Sequence, residues 1–156
     1  MTITNVYVDV DGVLNQVYAN PGAGGWDKHC YRREEINGYR ITWHTDAIYR
    51  LKQALERPDA NIRPVWLTTW RHDAPRLISP ALNIGADWDV LAGHGASYFW
   101  KRDAILQDLP DRFLWLDDDA PYGPNDFHHT PHLRVTPDQR VGLTKTHLDE
   151  IEAFLR

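Results

Sequence analysis

The stretch Val6-Tyr7-Val8-Asp9-Val10-Asp11-Gly12-Val13-Leu14-Asn15 sets an apolar run against two carboxylates one residue apart, followed by a glycine that lets the chain turn away. A continuous apolar run of this length marks a strand buried on both faces of a parallel sheet, so the segment reads as such a strand ending in a charged loop. Residues two apart in an extended chain point to the same side, which brings Asp9 and Asp11 to one reacting centre. One carboxylate can then act as nucleophile and the other as general acid and base. An Asp-Gly pair alone signals only a turn. The remainder of the chain decides between the two readings.

The 156 residues have the size of one domain, 1–156, long enough to bury a core. A net charge of -5 argues against a protein that grips nucleic acid over its whole surface, while leaving room for a local basic patch. Cys30 is the only cysteine, so no disulfide forms within the chain and no cysteine zinc site is available, which fits a cytoplasmic setting. The N-terminus lacks a basic region followed by a long apolar stretch, and no run is long enough to span a bilayer. No membrane partner is expected.

Working outward, Pro21, Gly22, Gly24 and Gly25 read as a flexible stretch. The runs 31–36 and 39–43 flank Asn37-Gly38, a strong hairpin signal. Thr45 caps a helix with Ile48, Leu51 and Leu55 on one face and Pro58 closing it. Val65-Trp66-Leu67 is a second buried strand leading into Thr68-Thr69, and a short helix follows Pro75. Residues 88–91 form a third strand, and Ser97 caps a helix that carries Lys101 in its first turns and turns Ile105, Leu106 and Leu109 inward. Residues 113–116 form a fourth apolar strand ending in Asp117-Asp118-Asp119, and 133–135 a fifth. Thr144 or Thr146 starts a terminal helix with Leu148, Ile151 and Leu155 on one face. The Pro-rich segment 121–131 is the candidate mobile loop. Strands alternating with helices predict an α/β fold, a three-layer Rossmann-like parallel sheet with a β-hairpin flap.

Three strands thus end in polar chemistry: Asp9 and Asp11, Thr68 and Thr69, and Asp117 to Asp119. In a parallel sheet these ends share one edge, where α/β proteins bind ligands. Clustered carboxylates raise one another's pKa unless a cation is present, and a hard divalent ion such as magnesium resolves the conflict while also holding a phosphate. A hydroxyl from Thr68 and an ammonium from Lys101 supply the donor and the positive charge that a phosphoryl transition state needs. Lys101 in a first helical turn is otherwise a solvated residue. Its place between the second and third polar endings favours function.

These residues and their order resemble the haloacid dehalogenase (HAD) superfamily of phosphohydrolases, from Val6 to the strand ending at Asp118. The resemblance implies that Asp9 attacks phosphorus to give an aspartyl-phosphate, and that Asp11 protonates the leaving group and then activates water. It implies that Thr68 and Lys101 bind phosphoryl oxygens, and that Asp9, the carbonyl of Asp11 and Asp118 hold Mg2+. Asp117 is an alternative ligand or an orienter of Lys101, and Asp119 reads as a loop carboxylate or helix cap. His128, His129 and His132 lack the company of a zinc site and read as loop surface.

About fifty residues separate the first two motifs, and the hairpin and crossover helix use most of them, so no large cap domain is expected and the site is open. An open site suits a large phosphate ester, such as a polynucleotide end, which itself excludes water. The hairpin region offers Trp26, Tyr31, Arg32, Arg33, Tyr39, Arg40 and Trp43, groups that stack on bases and bind phosphates, although Glu34 and Glu35 offset the charge and cross-strand packing is the alternative use of the rings. Thr69, Arg71 and His72 follow the second motif and are candidate substrate contacts. Trp66-Leu67-Thr68-Thr69-Trp70 and Gly142-Leu143-Thr144 look like the small stand-alone HAD-like domains of bacterial and phage proteins, some of them in RNA-repair proteins, which implies action on nucleic-acid ends or nucleotides. A sugar-phosphate phosphatase and a non-catalytic binding protein are the alternatives.

Overall fold

The computed structural model describes residues 2–17, 23–58, 60–93 and 97–156. Pro21 and Gly22 of the expected flexible stretch lie outside them. Along the chain come β1 (Thr4–Val8), the hairpin strands β2 (Tyr31–Ile36) and β3 (Tyr39–His44), and α1 (Thr45–Leu55). After these come β4 (Ile62–Trp66), α2 (Ser79–Leu82), β5 (Asp89–Val90), α3 (Trp100–Asp108), β6 (Arg112–Leu116), β7 (His132–Val135) and α4 (Lys145–Leu155). The five-stranded sheet has the order β5-β4-β1-β6-β7, parallel throughout, and β2 and β3 form the separate antiparallel hairpin.

Every residue of the central strand β1 is buried, and the pleat divides its side chains between two cores. Val6 and Val8 join Trp66, Leu114 and Leu116 beneath Ile48 and Leu51 of α1 and Leu148 and Ile151 of α4. Tyr7 joins Val65, Phe113 and Trp115 beneath Ala104 and Ile105 of α3. This is the expected three-layer arrangement, with no cap domain among the described residues. Among the described residues no helix is long and apolar enough to cross a membrane.

Local chemistry corrects several expected details. The cap of α1 is His44, whose Nδ1 accepts the amides of Asp46 and Ala47, while the Thr45 hydroxyl donates to the Cys30 carbonyl. Ser97 does not cap α3. Its hydroxyl accepts the Phe99 amide in a turn one step earlier, and Phe99 holds the cap position. Leu106 is exposed within α3, and Leu109 faces solvent because the helix ends at Asp108 and Leu109 adopts the left-handed conformation at φ 52°. Of the two candidate starts for α4, Thr144 is the cap, in a reciprocal capping box with His147. Segment 121–131, expected as a loose loop, is pinned by buried Phe127, whose ring meets Phe113, Trp115 and Tyr122. His132 belongs to β7 and stacks on Phe113.

A polar knot fixes α3 on the sheet. Asp108 at its C-terminal end accepts from the Tyr7 hydroxyl at 2.6 Å, the Asn5 amide at 3.0 Å and Arg63 at 2.7 Å. Burial and the Asp108 carboxylate together push the Tyr7 phenol far above its ordinary range. Asp108→Ala removes an acceptor shared by three donors, two of them on buried β1 residues, and leaves the Tyr7 hydroxyl without one, so it is expected to lower unfolding free energy by about 2–3 kcal/mol in urea titrations. A loss below about half a kcal/mol would mean that water replaces the carboxylate.

Candidate active site

The ladder hydrogen bonds of β1 continue one residue past its end. The Asp9 amide donates to the Leu116 carbonyl at 2.9 Å and the Leu67 amide to the Val8 carbonyl at 3.0 Å. Asp9 and Asp117 therefore leave adjacent strands at one level and Thr68 follows one residue further along its own strand, on the edge where parallel sheets place their ligands. Beyond Asp9 the chain folds into a tight loop, in which the Leu14 and Asn15 amides converge on the Val10 carbonyl and the Gly12 amide donates to the Asn15 carbonyl. Gly12 has φ +81°, and a Cβ there would stand 2.4 Å from Asp118 Cγ. Only glycine lets the loop and the Asp118 carboxylate come this close.

Lys101 is delivered by the first turn of α3, with its side chain only 12% exposed. Its ammonium lies 3.0 Å from Asp9 Oδ2 and donates to Asp117 Oδ2 at 2.6 Å. Asp9, Asp117 and Asp118 each offer an oxygen within 4.8 Å of the others. One ammonium thus faces three carboxylates. Burial drives the Asp9 carboxyl above its ordinary range, against the pull of Lys101, the Val10 amide and the Thr68 hydroxyl. Burial and the charge of Asp9 push Asp117 up to about 8 and also raise Asp118. Lys101 is raised as well, because Asp9 and Asp117 outweigh the effect of its own burial. A surplus of negative charge from oxygen donors alone, packed against the close approach at Gly12, fits a hard divalent cation and not a soft one.

The other sequence candidates fall into place differently. Thr68 is fully buried beside Asp9, whereas Thr69 is exposed. The Asp11 carboxylate stands outside the three-acid group: Oδ1 accepts the Asn15 side-chain amide at 2.8 Å and Oδ2 accepts the Trp70 indole N–H at 3.0 Å. Among its possible ligand atoms the carbonyl is therefore the one to consider. Asp119 is exposed, and its amide donates to Asp117 Oδ1, which helps to orient that carboxylate toward Lys101. Arg71, half-buried with φ 50°, donates from Nε to the Ala92 carbonyl at 2.8 Å and lies 4.9 Å over the Trp100 ring, while His72 is exposed.

The three hairpin arginines do not form one patch. The β2–β3 register and the pleat put Arg32 on the face of Glu34, Ile41 and Trp43, and put Arg33 and Arg40 on the opposite face with Glu35. The ring reading divides too: Trp26 and Trp43 are buried, while Tyr39 is exposed at the hairpin tip and meets Trp70 edge-on at 5.8 Å. Reading the sequence missed Trp70 and Asn15 as partners of Asp11. Asn15 had a signal, its place four residues after Asp11 in the same motif; Trp70 had none that spacing could supply.

A second group of possible ligands, Cys30, His44 and Asp46, clusters at the base of the hairpin. Both His44 nitrogens are engaged there, Nδ1 by the α1 amides and Nε2 by the Asp27 carbonyl at 2.8 Å, so the imidazole is a helix cap. The model of one family, described as the HAD domain in Swiss Army Knife RNA repair proteins, matches residues 5–148. No curated protein and no solved structure matches the chain.

Proposed function

The chain belongs to the family of HAD domains in Swiss Army Knife RNA repair proteins, and from that membership we propose that it is a magnesium-dependent phosphomonoesterase acting on polynucleotide ends. The observation that carries the chemistry is the buried Asp9 carboxylate at the end of β1, 3.0 Å from the Lys101 ammonium and beside the Thr68 hydroxyl. Thr68 and Lys101 bind phosphoryl oxygens and direct phosphorus onto Asp9. An Asp9 oxygen forms the new bond to phosphorus as the ester oxygen leaves, taking a proton from Asp11. Asp11 then removes a proton from water, which attacks the aspartyl-phosphate, breaks the Asp9–phosphorus bond and releases phosphate. Asp9, Asp118 and the Asp11 carbonyl would hold Mg2+, with Asp117 oriented toward Lys101. Bound there, the ion would neutralise the carboxylates and the phosphoryl oxygens.

The polynucleotide assignment is supported by the family description and by a site without a cap. Release of phosphate from 3′- and 5′-phosphorylated oligonucleotides, mononucleotides and sugar phosphates, with and without magnesium, tests it. Preference for a sugar phosphate over every oligonucleotide would overturn the assignment. Asp118→Asn is expected to raise the magnesium concentration for half-maximal activity by roughly tenfold or more, since one charged oxygen donor becomes neutral. An unchanged titration would move the ligand role to Asp117.

The split of the hairpin arginines refines the substrate test. Arg33→Ala with Arg40→Ala should lower oligonucleotide turnover more than Arg32→Ala does, and should flatten the salt dependence by a slope of about 0.7 for each backbone phosphate that an arginine no longer neutralises. Equal losses on an oligonucleotide and on p-nitrophenyl phosphate, with an unaltered salt slope, would make the hairpin structural.

A further inference from the structure

Asp11 carries no ion pair with any described residue, yet both of its oxygens are held. Asn15 approaches one from within the loop, and its Oδ1 accepts the Thr42 amide of β3 at 2.9 Å. Trp70 approaches the other from the loop after β4, through an indole N–H that has one direction and no acceptor character. The indole is braced: the Trp70 amide donates to Thr68 Oγ1 at 3.3 Å, the Arg71 amide closes onto the Thr68 carbonyl at 3.0 Å, and Tyr39 of the hairpin packs edge-on against the ring. Two N–H donors from different segments leave the carboxylate one orientation. A carboxylate on a flexible loop otherwise samples several rotamers, and each misdirected one delays proton transfer.

We infer that Trp70 is a positioning residue for Asp11, which fixes the carboxylate for proton transfer to the leaving oxygen, and that the hairpin tip is coupled to this step through Tyr39. The inference rests on the role proposed above for Asp11. It makes a demand that a purely structural indole does not: loss of the donor should matter most where the leaving oxygen most needs a proton. An aliphatic sugar oxygen is a poor leaving group and needs it; a nitrophenolate does not.

The test compares kcat/KM for a phosphorylated oligonucleotide, whose leaving group is a sugar hydroxyl, with kcat/KM for p-nitrophenyl phosphate, in wild type, Trp70→Phe and Asp11→Ala. Phenylalanine keeps a ring for Tyr39 and removes the N–H. Trp70→Phe is expected to shift the ratio between the two substrates by roughly tenfold or more against the oligonucleotide, and Asp11→Ala to shift it further in the same direction. If Asp11→Ala shifts the ratio and Trp70→Phe does not, the positioning role is wrong while the role of Asp11 survives. If neither shifts it, Asp11 is not the acid and both readings fall. A second measurement is independent of how the phenylalanine variant folds. The Trp70 indole N–H should resist hydrogen exchange in the wild type and lose that protection in Asp11→Ala; equal exchange in the two would overturn the inference.

Discussion

Asp9→Asn is expected to lower turnover by a factor on the order of 10^4 or more while the protein stays folded, because the amide keeps the shape of the carboxylate and cannot displace an ester oxygen from phosphorus. The fold should tolerate the change. Asp9 is buried and its carboxyl is pushed upward by that burial, so a neutral isostere removes an unfavourable charge as well as an ion pair with Lys101. Thermal melting within a few degrees of wild type, together with phosphate release at background, is the expected pair of results. Turnover near wild type would take the nucleophile role from Asp9.

Lys101→Met is expected to have the largest effect on stability. Asp9 and Asp117 are both nearly inaccessible to solvent, and Lys101 is the cation between them. Removing one partner of a buried ion pair costs about 3–5 kcal/mol, since it leaves uncompensated charge behind. The loss must depend on pH. With Lys101 present, Asp117 already sits at about 8, raised by burial first and by Asp9 second; without the ammonium both carboxyls rise further. A carboxyl raised in the folded state binds its proton more tightly there than in the unfolded chain, so the stability it contributes is present below the unfolded value of about 4 and is lost as pH climbs toward the folded value. Relative to wild type the deficit opens between the wild-type and the higher variant folded values, so urea titrations should show a small deficit at about pH 5 and one that grows as pH climbs through about 8, recovered in part by millimolar magnesium. A deficit that does not vary with pH would mean that Lys101 acts through packing of its stem.

Much of this was legible in the sequence, and the reason is chemical. The strands β1, β4 and β6 run through the middle of the sheet, so they carry apolar runs whose polar ends, Asp9, Thr68 and Asp117, stand out against them. Asn37-Gly38 announced the hairpin because both residues take positive φ, 52° and 82°. What was not legible depends on contacts between distant segments. His44 caps α1 because the Asp27 carbonyl holds its other nitrogen, and no local pattern distinguishes that from a cap at Thr45. Leu109 looked like a core residue by period and lies beyond the helix end, 81% exposed. The pairing of Trp70 with Asp11 spans 59 positions and follows from the sheet order, which periodicity does not reveal. The basic hairpin misled for a simpler reason: composition counts Arg32, Arg33 and Arg40 together, and the pleat separates them.

The proposed reaction depends most on a covalent bond between Asp9 and phosphorus. Rapid acid quenching of the wild-type protein with a radiolabelled phosphate ester, followed by peptide mapping, tests that bond directly. The predicted result is a phosphoryl group on the peptide containing Asp9, released by hydroxylamine as an acyl phosphate is, and absent in Asp9→Asn. Steady turnover with no such adduct, or an adduct on a residue other than Asp9, would contradict it.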